Sequence, residues 1–130
     1  MGKTAYWVAG IVSFSAIGLH ELLGAPFFLP PLSETNLADS IIWMHRFSWH
    51  VGSITMAAMG FMFVRAALKP GEAILGAIAT SIAALMGCLG IGQALFGNDI
   101  LWSTPAPFLW PVIAIVGGLG LAMSRQQKPV

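Results

Sequence analysis

Four stretches of this chain, at about residues 4–23, 40–68, 72–96 and 103–124, each run for about 20 residues or more with almost no charged side chains. A bilayer hydrocarbon core about 30 Å thick is crossed by about 20 apolar residues rising 1.5 Å each. Runs of this length predict an all-α chain, an integral membrane four-helix transmembrane bundle forming one domain, with antiparallel neighbours joined by short loops. Of the residues, 57% are hydrophobic and 8% charged, whereas a soluble domain carries roughly 25% charge. In water so short a chain would lack the polar residues to cover its exterior. A net charge of +1 argues against a nucleic-acid partner, which would call for a basic patch. The lone Cys88 excludes an internal disulfide or a CxxC redox centre. The expected surroundings are the lipid bilayer and a homo-oligomer or larger membrane complex.

Local signals set the expected segment ends. Gly24, Pro26 and the Pro30-Pro31 pair are expected to stop the first helix. Asp39 or Ser40 is placed to cap the second, which halts at Pro70-Gly71. The third ends at Gly97-Asn98, and the fourth starts near Ser103 or Thr104, takes Pro105 in its first turn and meets a kink at Pro111. The first run is longer than the apolar part of a signal peptide and continues into Glu21 and a proline-rich loop, so it is expected to be retained. The Met1-Gly2 start is discounted as a myristoylation signal because Tyr6 stands where Ser or Thr is wanted.

Lys and Arg beside short loops stay on the cytoplasmic side. Lys3, Arg65, Lys69, Arg125 and Lys128 fall at one end of the segments, with Arg46 alone among the basic residues at the other. Glu21, Glu34, Asp39 and Asp99 accompany Arg46. Both termini are therefore expected to be cytoplasmic, with a bacterial inner membrane as the setting. Trp7, Trp43, Trp102 and Trp110 lie near segment ends, as an aromatic belt requires.

An ionisable side chain within hydrocarbon is costly unless paired or wet, which makes each one a functional candidate. They gather at the outer end. His20 and Glu21 close the first segment, His45, Arg46 and His50 open the second, and Gln93 reaches the same level. On helix 2 the angular spacing gathers His45, Trp49, Ser53, Arg46 and His50 on one face. Ala9, Ser13, Ala16, His20 and Gly24 form a small-residue stripe on helix 1, and Gly76, Thr80, Ala83, Gly87 and Gly90 form another on helix 3. By depth, His20 and His45 come out nearly level, with His50 about 7.5 Å deeper than His45.

The leading expectation is a haem or metal site in the outer leaflet with a redox or metal-handling role. A b-type haem would take His20 with His45 or His50 as axial ligands, and Arg46 would meet a propionate. Copper is suggested by Met44, Met56, Met59 and Met62, which share the second segment with two histidines. Zinc would use His20, Glu21, His45 and His50. Two other classes stand beside this one. In an accessory subunit the histidines would make only interhelical hydrogen bonds, with Glu21 and Arg46 as an ion pair. In a small proton-coupled transporter Glu21 or a histidine would carry the proton, with Thr80 and Ser81 extending the path. Hydrolytic triads, phosphate loops and dinucleotide motifs are absent from the sequence.

Overall fold

The apolar runs fold as helices in a computed structural model that describes residues 2–125. Met1 and residues 126–130, including Lys128, lie outside the described residues. Helix α1 spans Gly2–Gly18 and passes through a π-helical turn, Leu19–Gly24, into the short α2, Ala25–Phe28. A 3-10 turn at Pro30–Glu34 leads to α3, Asp39–Leu68. Helices α4, Ala73–Phe96, and α5, Ala106–Arg125, follow. No strand occurs among the described residues. The continuous helical stretch Gly2–Glu34 and helices α3, α4 and α5 are each long and apolar enough to cross a membrane.

Two helix ends differ from their sequence expectations for identifiable reasons. The first helix does not stop at Gly24 but continues to Phe28. Pro26 cannot donate to a carbonyl one turn back, and in a regular helix its ring would press on the Leu22 carbonyl. The chain takes up one extra residue ahead of it, so that the Ala25 N–H donates to the His20 carbonyl five residues back. At the other end of the chain, α5 starts at Ala106 rather than Ser103. The Pro105 carbonyl accepts from Phe108 and Leu109 at 3.1 and 2.9 Å, which puts Pro107 rather than Pro105 in the first turn. Helix α5 then continues through Pro111. Neither Asp39 nor Ser40 caps α3. Ala38 holds the N-cap position and its carbonyl accepts from Ile41 and Ile42.

The four long helices pack in a ring, α1 against α3 and α5, and α4 against α3 and α5. Small residues set how closely they approach. A Cβ on Gly60 of α3 would lie 3.0 Å from the Phe14 ring of α1. One on Gly87 of α4 would lie 3.1 Å from Pro111 of α5, and one on Gly117 of α5 would meet Thr80 of α4. At the end where α1 begins and α5 finishes, the Tyr6 ring lies between Gly76 and Gly120, stacked at 6.2 Å on Phe63. Tyr6, Met56, Met59, Phe63 and Ile113 are the large, almost wholly buried side chains of the shared core. Trp110 also joins this core at 9% exposure, so it does not contribute to a surface belt, whereas Trp7, Trp43 and Trp102 are exposed.

Candidate functional site

The antiparallel pairing of α1 with α3 brings the π-helical turn beside Trp49, His50 and Ser53 of α3. Ser53 donates a short hydrogen bond to Glu21 Oε1. His50 Nδ1 lies 3.1 Å from the same oxygen, and His20 Nδ1 lies 2.9 Å from Ser53 Oγ and 3.7 Å from Glu21 Oε1. These contacts determine the proton positions. Ser53 has one proton and gives it to Glu21, so its oxygen accepts from His20 Nδ1–H. An ionised Glu21 only accepts, so His50 also carries its proton on Nδ1. In its neutral form each imidazole thus presents Nε2 as the bare nitrogen, and neither Nε2 is hydrogen-bonded among the described residues.

Aromatic packing holds His20 in place. Its ring stacks on Trp49 with centroids 4.1 Å apart and planes 15° from parallel. A Cβ on Gly52 would stand 3.6 Å from His20 Cε1. Trp49 is in turn backed by Phe28 at 5.6 Å, and a Cβ on Gly24 would lie only 2.8 Å from its ring. Gly24 therefore serves close packing, not helix termination. The cluster lies between helices yet is only partly enclosed: the His50 side chain is 56% exposed, and those of His20 and Glu21 are about half as exposed, at 27% and 29%.

The other sequence candidates are not drawn into this cluster. Arg46 does not pair with Glu21. Its Nη2 donates to Ser33 Oγ at 2.7 Å, and its guanidinium lies 5.3 Å from the Trp43 ring centre. The expected ion pair is replaced because His50 and Ser53, one and two turns further along α3, are the side chains that reach the carboxylate, while Arg46 is held at Ser33. His45 is exposed on α3 and Gln93 is exposed near the end of α4. The level arithmetic paired His20 with His45 because it ended the first helix near Leu23. Continuation to Phe28 sets His20 deeper and opposite Gly52 and Ser53.

Among the described residues no three His, Cys, Asp or Glu side chains gather in a metal-holding group. The two Nδ1 atoms approach a shared pair of oxygens, so each Nε2, on the far edge of its ring, points away from that centre. The methionines do not meet the imidazoles either. Met56 and Met59 belong to the core around Tyr6 and Phe63, and Met44 is exposed. Ser53 and Trp49 complete the site; the sequence placed both on the polar face of the second helix but gave neither a ligand role. Their signal was present in the spacing, since Trp49 and Ser53 share the His50 side of α3. Comparison with known proteins brings no match, whether to a family model, a curated protein or a solved structure.

Proposed function

We propose that this chain is an integral membrane protein of the bacterial inner membrane that crosses the bilayer four times, with both termini cytoplasmic and its histidine cluster in the outer leaflet. In this reading it is a small accessory subunit of a larger membrane complex, and His20, Glu21, His50 and Ser53 fasten α1 to α3. The observation that carries the proposal is the continuous hydrogen-bond chain in which both imidazoles spend their Nδ1 protons on the Ser53–Glu21 pair. Polar side chains joined in this way specify which helices pair within hydrocarbon. The orientation rests on the basic residues: Lys3, Arg65, Lys69 and Arg125 lie at the end opposite the cluster.

Proton-coupled transport fits less well, because the polar chain ends at Ser53. Beyond it Met56, Met59, Phe63, Tyr6 and Ile113 fill the space between helices. The hydroxyls nearby turn back on their own helices, Ser13 to the Ala9 carbonyl at 2.8 Å and Thr80 to the Gly76 carbonyl at 2.7 Å. One observation favours a second reading, a haem or transition-metal site. The Glu21 carboxylate orients His50 in the way that carboxylates orient metal-ligating imidazoles, leaving Nε2 bare.

Purification in mild detergent, with absorption spectroscopy and elemental analysis, separates the readings. The accessory role predicts co-purifying membrane partners, with neither a Soret band nor stoichiometric metal. A Soret band or bound copper or zinc that is lost on His50→Ala would replace it with the second reading.

A further inference from the structure

A second polar place lies further toward the outer end, and the histidine cluster makes no use of it. Ser33, Asp39, Ile42, Trp43 and Arg46 line an open crevice of about 170 Å³. Arg46 is the one cationic side chain at this end among the described residues, and no carboxylate pairs with it there. Its guanidinium rests against Trp43 and uses Nη2 on the neutral Ser33 hydroxyl, while Nε is buried without a hydrogen-bond partner. An arginine fork held on an aromatic face and lacking a carboxylate is suited to a phosphate oxygen. Asp39, on the same crevice, is likewise without an ion-pair partner among the described residues.

Two opposite charges share one crevice without neutralising each other. The complementary ligand carries a phosphate and an ammonium a few bonds apart, which describes a zwitterionic amino-phospholipid head group. The surroundings fit a lipid better than a soluble ion. Trp43, Met44 and Phe47 all present exposed apolar surface beside the crevice, and tryptophan is enriched at head-group depth. We propose that this crevice binds the head group of a phosphatidylethanolamine-type lipid, with the phosphate on Arg46 and Ser33 and the ammonium on Asp39. This inference rests on the membrane-spanning reading but is independent of the accessory role.

The test is native mass spectrometry of the full chain released from micelles containing dioleoyl phosphatidylethanolamine, phosphatidylcholine or phosphatidylglycerol. Phosphatidylethanolamine should be retained about tenfold better than either of the others, because choline has no N–H for Asp39 and glycerol has no cation. Arg46→Gln should lower its retention by about tenfold, and Asp39→Asn should bring it down to the phosphatidylcholine level. Gln93→Ala, at the outer end of α4, should change nothing. Equal retention of the three lipids, or an Arg46→Gln profile like the parent, would overturn the proposal. Displacement of the lipid by millimolar inorganic phosphate or glycerophosphoethanolamine would overturn the lipid source in favour of a free phosphate ligand. Should Arg46→Gln fail to fold, Asp39→Asn alone decides, since loss of the ethanolamine preference is the proposal's own signature. Alkaline carbonate extraction reads the membrane assignment separately: a chain left in the pellet upholds that assignment whatever the lipids show, and a released chain removes both.

Discussion

Glu21 organises its end of the protein because one carboxylate oxygen accepts from two side chains of α3 while its neighbour His20 joins through Ser53. Removing the Ser53 hydroxyl breaks two links at once and leaves His20 Nδ1–H without its acceptor. Ser53→Ala should therefore cost about 1–3 kcal/mol, measured by unfolding in mixed micelles. The same geometry separates two pairings that the sequence alone leaves open. A double-mutant cycle on Glu21 and His50 should show a coupling of about 1 kcal/mol or more, whereas one on Glu21 and Arg46 should be additive. Coupling in the second cycle and none in the first would mean that Arg46, not His50, holds the carboxylate. Arg46 would then be unavailable to the crevice.

The elements depend on glycines that admit rings and on turns that clasp. A Cβ on Gly76 would come within 2.6 Å of the Tyr6 ring, and one on Gly120 within 2.7 Å. Tyr6 is held between α4 and α5 with no free side to move toward, so Gly76→Ala should destabilise the bundle by about 1–3 kcal/mol in the same unfolding assay. The connection from α3 to α4 is clasped differently. Arg65 donates to Glu72 through Nε and Nη2 at 2.8 and 2.5 Å, and Lys69 approaches within 3.6 Å. The hydrogen bond from Arg65 holds the Glu72 carboxyl below its ordinary range. The contribution of the clasp is thus complete above the ordinary carboxylate pKa and is lost as pH falls through the lowered folded-state value. Wild type should exceed Glu72→Gln in stability at neutral pH, and the difference should vanish on acidification. A difference that persists in acid would show that the clasp acts through packing instead of charge.

At the scale of the whole molecule the two ends are chemically unlike. One end holds the imidazoles, Glu21, Asp39 and Arg46, while toward the other the interior is filled by Tyr6, Phe63 and small residues. The proposed orientation puts the first end outside the cell. After Cys88→Ser removes the native thiol, a cysteine placed at Glu34 should react with a membrane-impermeant maleimide in intact cells. One placed at Gly71 should react only after permeabilisation. The reverse pattern would invert the topology and put the crevice against the cytoplasmic leaflet.

What the sequence by itself determined was the class of structure and the gathering of polar residues at one end. Both follow from one-dimensional quantities: the length of each apolar run and its alternating direction across successive helices. The small-residue stripes were legible too, because Ala9, Ser13, Ala16, Gly76, Ala83 and Gly87 recur at helical spacing and are buried where they recur. Which polar side chains meet was not legible. Contacts across a helix pair depend on axial register, and a shift of five residues moves a side chain about 7.5 Å. Prolines read as a stop ended the first helix too early in the sequence analysis, and that misplaced His20 against His45. Only the tertiary structure shows Pro26 accommodated by a π-helical turn, with His20 carried past Trp49 to Ser53 and Glu21 given to His50, not Arg46. The freeing of Arg46 is a consequence of the same register, because the deeper turns of α3, not the arginine's, reach Glu21, and Arg46 turns to Ser33.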